Sequence, residues 1–143
     1  MGGNKQRYRQ LALKKPEAYE DFPFKLDVAV YKVRGKMFAT LSRVNGIWNM
    51  NLKCDPNQAQ LFREIYDSVI PGWHMNKKHW NTLLLDGSIP ENEIQYMIDH
   101  SYMLVVNGLM KTDRQYLALR YSELELYGLS TDRMWHESGP SLK

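Results

Sequence analysis

The segment from Asn45 to Cys54 constrains the fold of this chain more than any other part of the sequence. Asn45-Gly46 is typical of two-residue hairpin turns, because both residues tolerate the positive φ that such turns require. After this turn, apolar and polar side chains alternate strictly. The apolar positions are Trp48, Met50, Leu52 and Cys54, and the polar positions are Asn49, Asn51 and Lys53. The alternation predicts an antiparallel strand that packs one face on a core and keeps the other face polar.

Two further strands are predicted before this one. Val28–Val33 is rich in β-branched and aromatic residues, Arg34-Gly35 supplies a tight turn, and Met37–Val44 follows it. With the strand after Asn45-Gly46, these segments predict a three-stranded meander.

A basic helix is predicted before the meander and a capped helix after it. The first spans residues 4–18, with Tyr8, Leu11 and Ala12 on its apolar face. The second begins at Asp55, whose side chain caps it, and Pro56 suits its first position. We expect this second helix to bury Ala59, Phe62, Ile65 and Val69, and to end at Pro71-Gly72.

The next segments predict two short strands and a third helix. Residues 73–75 and 80–85 have a strand-like composition, and Asp86-Gly87 closes the second of them. A helix is expected to start at Ser88, with Glu91 three residues later, and to stop at Asn107-Gly108. Its inward residues are expected to be Ile94, Met97, Ile98, Tyr102 and Val105. Because no β-α-β alternation is present, the element order predicts an α+β fold, an antiparallel sheet flanked by helices.

A C-terminal helical extension is predicted over residues 112–128, so that residues 1–111 form the domain and residues 112–143 an extension and tail. Leu117, Tyr121 and Leu124 fall on one stripe of this helix, and Leu119 and Leu126 fall on the opposite side. We expect the first stripe to dock on the domain. The second stripe is then available for self-association as a homodimer, or is covered by another part of the same chain.

The amino-acid composition limits the classes of protein to which this chain can belong. The chain has 143 residues, enough for one domain, and its 43% apolar content supports a real core. One cysteine excludes an internal disulfide framework and a multi-cysteine zinc site. Because no apolar run is long enough for a membrane span or a signal peptide, we expect a soluble, cytoplasmic protein without a membrane partner.

The charge is distributed unevenly along the chain. Residues 25–80 carry nine Lys/Arg against four Asp/Glu, whereas residues 86–143 carry five against nine. Such asymmetry is typical of a basic surface for an anionic partner beside an acidic one, although an unevenly sampled solvated surface gives the same pattern.

The run from Trp73 to Asn81 is the richest in chemistry, with two lysines, two histidines, two tryptophans and two amides in nine residues. Lysines neutralise phosphates, amides hydrogen-bond to phosphate or base edges, and an exposed indole stacks on an unpaired base. With the polar face of the third strand beside it, the run predicts a basic, amide-rich surface. The candidate contacts are Lys36, Lys53, Lys77, Lys78, His79 and Asn81, with Trp80 as a stacking residue. The alternative is that Trp73 and Trp80 belong to the core and that the lysines are merely solvated.

No catalytic or metal-binding constellation is predicted. His74 and His79 lack the paired spacing of zinc sites, and no carboxylate cluster offers hard cations their oxygen ligands. Asp99, His100 and Ser101 are adjacent on a predicted helix and point in different directions, so they do not form a triad. Cys54 is expected to face inward, where a thiol is inert. We therefore expect neither enzymatic activity nor a cofactor.

Several blocks of the sequence resemble the YjbR/MmcQ family of bacterial proteins over residues 17–111. The resemblance implies a CyaY-like antiparallel sheet flanked by helices, and a "double-wing" DNA-binding function. Lys25 departs from the glycine that is common after Pro-Phe in the family, and the tail after Lys111 lies outside the family core. The blocks are Phe22-Pro23-Phe24, residues 35–39, residues 51–56, Pro71-Gly72, residues 75–82, residues 99–102 and residues 104–106.

Taken together, the residues and the resemblance predict a DNA-binding protein of weak specificity. Two alternatives stay open: a protein-interaction module that docks its partner on the acidic C-terminal half, and a small-molecule binder near Trp80 and His79. The lysines give the discriminating observation: convergence of Lys36, Lys53 and Lys77 on one exposed face favours nucleic-acid binding, and their scatter favours the interaction module.

Overall fold

The computed structural model describes residues 5–128 and consists of one six-stranded antiparallel sheet with helices packed against it. The strand order is β1-β2-β3-β4-β6-β5, so the first four strands form a meander and the last two add to its end. This confirms the predicted α+β class, including a helical C-terminal part. The elements are α1 (Lys5–Leu13), β1 (Tyr19–Asp21), β2 (Ala29–Val33), β3 (Lys36–Val44), β4 (Ile47–Lys53), α2 (Pro56–Ile65), β5 (Val69–Pro71), β6 (Trp80–Leu84), α3 (Glu91–Asn107), α4 (Lys111–Arg120) and α5 (Glu123–Tyr127).

Both predicted hairpin turns are present. Arg34 and Gly35 have φ values of 49° and 84°, and Asn45 and Gly46 have values of 52° and 80°. Positive φ at both central residues is the signature of a type I′ turn, which matches the right-handed twist of the strands on either side. These turns therefore fix the register of β2 on β3 and of β3 on β4.

The sheet has one face covered by helices, which we call the helix-covered face. Met50 and Leu52 of β4 lie on it and are fully buried, and Ala39 and Leu41 of β3 lie beside them in register. The α3 helix packs across β3 and β4 on this side. Its five predicted inward residues, Ile94, Met97, Ile98, Tyr102 and Val105, are all buried. The apolar alternation of β4 and the apolar face of α3 were thus correctly predicted.

The second helix is shorter than its apolar spacing predicted. Asp55 caps α2 as expected, since its carboxylate accepts hydrogen bonds from the backbone N–H groups of Asn57 and Gln58. The helix ends at Ile65, whose side chain is about half exposed at 48%, and not at Pro71-Gly72. Val69 is buried as predicted, but within β5, where it pairs with Leu83 of β6. The four-residue spacing from Ile65 to Val69 is therefore not a helical repeat.

Two other local predictions were wrong, and one strand was missed. Ser88 does not cap α3, because its hydroxyl bonds to Asp86 and Ser68, and Pro90 stands before the first helical residue. Residues 73–75 are not a strand, since His74 has the left-handed φ of 58°. The edge strand β1 was missed; it is only three residues long and carries no apolar alternation.

The C-terminal segment forms two helices instead of one. The break falls at Tyr121 and Ser122, and Ser122 starts α5 with a capping box that it shares with Glu125. Because the break changes the helix phase, Leu126 is buried and Leu124 is 77% exposed, the reverse of the prediction.

Leu117, as predicted, and Leu126 both join the core of the domain, so the C-terminal helices pack on it. Leu119 is 88% exposed. Homodimer formation through this helical part stays a prediction, and the predicted tail beyond residue 128 lies outside the described residues. Within residues 5–128, no helix has both the length and the apolar content that crossing a membrane requires.

Candidate functional site

The face of the sheet opposite α3, which we call the open face, is polar at its centre. Thr40 of β3, Asn51 of β4 and Thr82 of β6 lie side by side in register across three strands. Ser42 and Asn49 form the next cross-strand pair. Directly opposed residues of antiparallel strands share one face, so these five side chains form a continuous polar floor.

A cleft of about 720 Å³ lies over this floor. Its walls are the loop between β1 and β2 and the loop between β5 and β6. The lining residues are Phe24, Lys25, Val28, Met37, Thr40, Ser42, Val44, Asn45, Asn49, Asn51, Trp73, His74 and Met75. The volume lies within the roughly 300–1,000 Å³ of typical ligand sites, and the lining combines apolar walls with convergent polar groups. None of these lining residues is a carboxylate.

A chain of hydrogen bonds fixes the polar groups of the floor. The backbone N–H of Trp73 donates to Oγ1 of Thr82 at 2.9 Å, and the Thr82 hydroxyl donates to Oδ1 of Asn51. The backbone N–H of Asn51 donates to Oγ1 of Thr40 at 3.2 Å. The Thr82 hydroxyl oxygen and the Asn51 carbonyl oxygen each keep a second lone pair, so both can accept a further hydrogen bond.

Asn49 is held by its cross-strand neighbour Ser42. Its Oδ1 accepts from the Ser42 hydroxyl at 3.3 Å, and its Nδ2 donates to the Ser42 carbonyl at the same distance. Asn49 is 2% exposed and Thr40 is 5% exposed. The floor is therefore a set of hydrogen-bonded amides and hydroxyls, buried at Thr40, Asn49 and Thr82 and half-buried at Ser42 and Asn51.

Four of the predicted contact residues and the predicted stacking residue reach one edge of the open face. Lys53 pairs with Trp80 across β4 and β6, about 7 Å along β4 from Asn51. Lys77, Lys78 and His79 lie on the loop that enters β6 at this same edge. Trp73 and Trp80 are both half-buried, and neither is a core residue. The Lys77 ammonium donates to the Gly72 carbonyl at 2.9 Å, and Lys78 is exposed.

The other two predicted contact residues lie elsewhere. Lys36 pairs with the buried Val33, which places it on the helix-covered side, so the three lysines used as the discriminating observation do not all converge. Asn81 is 2% exposed; its Oδ1 accepts from Nε of Arg63 at 2.7 Å and its Nδ2 donates to the Ala59 carbonyl. Asn81 is thus a structural residue and not an exposed amide.

Arg63 was not predicted as a site residue. It holds in place the rim of the open face, which is the segment from Lys77 to Asn81. Its guanidinium donates to Oδ1 of Asn81 and to the carbonyls of Lys77 and Trp80. Gly72 completes the rim, because a Cβ there would lie 2.9 Å from Cβ of Trp80. No sequence motif marks Arg63, whose partners are 14 to 18 residues away.

Two groups that raised the question of catalysis have structural partners. His100 accepts at Nε2 from the backbone N–H of Asp55, Ser101 donates to the Phe38 carbonyl, and Asp99 pairs with Lys15 at 2.9 Å. These adjacent residues therefore contact three different elements and do not form a relay. Cys54 faces inward as predicted, and burial raises the pKa of its thiol to about 12.

Among residues 5–128, no three His, Cys, Asp or Glu side chains come together as metal ligands. That the purified protein carries no stoichiometric zinc or iron stays a prediction, which elemental analysis can check.

The fold and the open face define a class of α+β proteins in which one sheet face is covered by helices and the other is bordered by loops. The chain belongs to the YjbR family, whose model matches residues 13–104, as the motif resemblance predicted. All residues that line the cleft lie inside this range, whereas α4 and α5 lie outside it.

Relatives with similar sequences cover most of the domain. Uncharacterized protein YbdF of Escherichia coli O157:H7 is 39% identical over 107 residues, which are 75% of this chain and 88% of that protein. Uncharacterized protein YjbR of Escherichia coli strain K12 is 35% identical over 108 residues, which are 76% of this chain and 92% of that protein.

Solved structures share the fold. The crystal structure of the Deinococcus radiodurans protein DR2400 matches with a TM-score of 0.72 at 32% identity, over 79% of this chain and 86% of that chain. A crystal structure of a Pseudomonas syringae protein matches with a TM-score of 0.64 at 30% identity, over 71% of this chain and 97% of that chain.

Proposed function

We propose that this protein binds single-stranded nucleic acid on the open face of its sheet, with weak sequence specificity. The observation that supports the proposal most is the cleft over the polar floor, which combines an indole, oriented amides and a lysine and has no carboxylate in its lining. Single-stranded binding sites combine aromatic stacking surfaces with a positively charged path for the backbone.

Lysines around the cleft supply the charge for the phosphates. Lys25 lines the cleft, Lys53 follows Asn51 on the same face of β4, and Lys77 and Lys78 lie at the β6 edge. Lys25, Lys77 and Lys78 are exposed, and Lys53 is half-buried. Each phosphate that a lysine neutralises releases counterions, so the affinity will fall as salt rises.

Two features favour a single strand over a duplex. Trp73 and Trp80 are half-buried, and stacking of a base on an indole requires the base to be unpaired. The helices that pack on the sheet do so on the other side, so the open face offers no helix to a major groove.

Fluorescence anisotropy with short labelled oligonucleotides tests the proposal. With four lysine contacts, the slope of log affinity against log salt is expected to be about −3 for a single strand. Replacing Lys53 and Lys78 by Ala should make the slope shallower by about 1.4.

Lys36→Ala is the control for Lys53→Ala alone, because each removes one positive charge, from opposite sides of the sheet. The proposal fails if no single strand binds, or if Lys36→Ala weakens binding as much as Lys53→Ala does.

A free small molecule is a second candidate occupant, and the cleft volume of about 720 Å³ favours it. The cleft lies at Trp73 and His74 and not, as predicted, at Trp80 and His79. The length of the oligonucleotide distinguishes the two candidates. If the cleft binds a free small molecule, a mononucleotide and a longer oligonucleotide should bind with the same affinity; if it binds a single strand, the longer oligonucleotide should bind more tightly.

A protein-interaction module stays the remaining alternative. Two results together would favour it. Oligonucleotides would not bind at all, and open-face variants would bind a protein partner as tightly as the wild type does.

A further inference from the structure

The loop between β1 and β2 exposes large apolar side chains in sequence. Every residue from Phe22 to Asp27 is exposed, and we call this segment the apolar loop. Phe22, Phe24 and Leu26 are 39%, 72% and 90% exposed, and Leu26 lies in the turn at the tip. A single exposed apolar residue is ordinary, but exposed apolar surface concentrated in one place marks a contact with another protein or a membrane.

Hydrogen bonds within the chain satisfy backbone donors of the apolar loop. The backbone N–H of Val28 donates to the Lys25 carbonyl at 3.1 Å and closes the turn at the tip. The backbone N–H of Phe22 donates to Oδ1 of Asp21 at 2.8 Å, and Pro23 has no N–H. A backbone group that enters an apolar medium without a partner is costly, so these bonds suit the loop to such a medium.

Lysines lie on the same side of the sheet as the apolar loop. Lys25 is part of the loop, and Lys77 and Lys78 are exposed on the loop that forms the opposite wall of the cleft. The lining of the cleft between the two loops contains no carboxylate. The apolar loop itself carries one exposed carboxylate, Asp27, which these three lysines outnumber. The surroundings of the loop are therefore complementary to an anionic surface.

From these observations we infer that the apolar loop inserts into the interface of an anionic lipid membrane, so that the protein binds the membrane surface. Anionic lipids attract lysines, and the interface of a bilayer takes up leucine and phenylalanine side chains. A nucleic acid accounts for the lysines but not for Leu26, which has no ring to stack on a base. A protein partner needs a pocket shaped to the turn, whereas a bilayer interface needs none.

This inference corrects one expectation and is independent of the proposed function. The sequence predicted no membrane partner because no apolar run is long enough to span a bilayer, but binding at the surface requires no spanning segment. The inference uses the apolar loop, whereas the proposed nucleic-acid site uses the cleft beside it.

Flotation with lipid vesicles tests the inference. The wild-type protein is expected to bind vesicles that contain phosphatidylglycerol at least about tenfold more tightly than vesicles of phosphatidylcholine alone. Replacing Lys25 and Lys78 by Ala should remove most of this preference, because each lysine near the surface contributes to the attraction.

Two double variants compare the apolar loop with an equally exposed apolar pair elsewhere. Phe24→Ser with Leu26→Ser should weaken binding to phosphatidylglycerol vesicles at least about tenfold. Leu119→Ser with Leu124→Ser is the matched control, because these leucines are 88% and 77% exposed on α4 and α5, and it should change nothing. Thermal melting checks that both variants are folded.

A spin-labelled lipid locates the contact in the unmodified protein. In small bicelles of the same lipids, the label should broaden the methyl NMR signals of Leu26 and leave those of Leu119 sharp.

Three results would overturn the inference: no flotation of the wild type, flotation of the loop variant as strong as that of the wild type, or equal losses in both double variants. The second result would mean that lysines alone adsorb the protein. Leu26 does not line the cleft, so Leu26→Ser should bind oligonucleotides as the wild type does. Membrane binding and single-strand binding are thus judged on separate data.

Discussion

Neighbouring residues of β4 serve two different surfaces. Met50 and Leu52 lie on the helix-covered face, where α3 excludes water, and Asn49 and Asn51 lie on the open face, where loops border a cleft. Both faces bury side chains, but the first does so by apolar contact and the second by hydrogen bonds. Stability should therefore depend mainly on the first face, and ligand recognition on the second.

The largest effect on stability is expected when two adjacent residues, one on each face, are replaced in turn. Leu52→Ala opens a cavity under α3 and is expected to lower the free energy of unfolding by about 2–5 kcal/mol. Lys53→Ala, one residue further on the other face, should change it by no more than about 0.5 kcal/mol. Urea denaturation measures both, and equal losses would contradict the division between the faces.

Arg63 connects the two faces, and its removal should affect both. Arg63→Ala leaves the buried Oδ1 of Asn81 without its donor, at a cost of about 1–3 kcal/mol, and frees the carbonyls of Lys77 and Trp80. Hydrogen exchange should become faster at residues 77–80. Arg63→Lys is the control that keeps the charge without the planar fork, and it should restore little of the protection.

Glu20, which lies on the helix-covered face beside Tyr31, should contribute to the acid sensitivity of the fold. Burial raises the pKa of Glu20, but hydrogen bonds from Arg9 at 2.9 Å and Tyr31 at 2.8 Å outweigh it, and the net pKa lies below the usual 4.5. A carboxyl group whose pKa is lower in the folded state stabilises the fold at pH values above its unfolded-state pKa. This stabilisation is lost as the pH falls through the folded-state pKa. In Glu20→Gln, the midpoint of urea unfolding should depend less on pH below about 5; an unchanged pH curve would show that Glu20 is not responsible.

The smallest effect on stability is expected at two exposed leucines of the C-terminal helices. Leu119 and Leu124 are 88% and 77% exposed, so replacing both by Glu should leave unfolding almost unchanged. If these helices mediate the predicted homodimer, sedimentation will show a wild-type dimer and a monomeric variant. A wild-type monomer at high micromolar concentration would leave the dimer prediction without support.

Local patterns predicted the elements that depend on neighbouring residues. The turns at Asn45-Gly46 and Arg34-Gly35, the cap at Asp55 and the alternation of β4 each involve contacts only a few residues apart in sequence. The same alternation applied to β6 would have placed Asn81 with the buried Leu83, away from Trp80 and Thr82. That error was therefore avoidable.

The site itself depends on contacts that no local pattern contains. Thr40, Asn51 and Thr82 meet because of the register between β3, β4 and β6, and the last two are 31 residues apart. The C-terminal break was missed because a stripe of leucines at helical spacing continues through Ser122, where the capping box starts a new helix. The run from Trp73 to Asn81 supplies three residues that line the cleft, but its local pattern did not show which side chains point to which face.

The two edge strands of the sheet are very short, and their length affects the tendency of the protein to aggregate at high concentration. Among the described residues, the outer strands are β1 and β5, each three residues long, and β5 ends in Pro71, which has no N–H group. A long, unpaired strand edge is a template on which other chains add as further strands, and from which fibrous aggregates grow. Edges this short give an incoming strand few hydrogen bonds, so the protein is protected against aggregation through its own sheet.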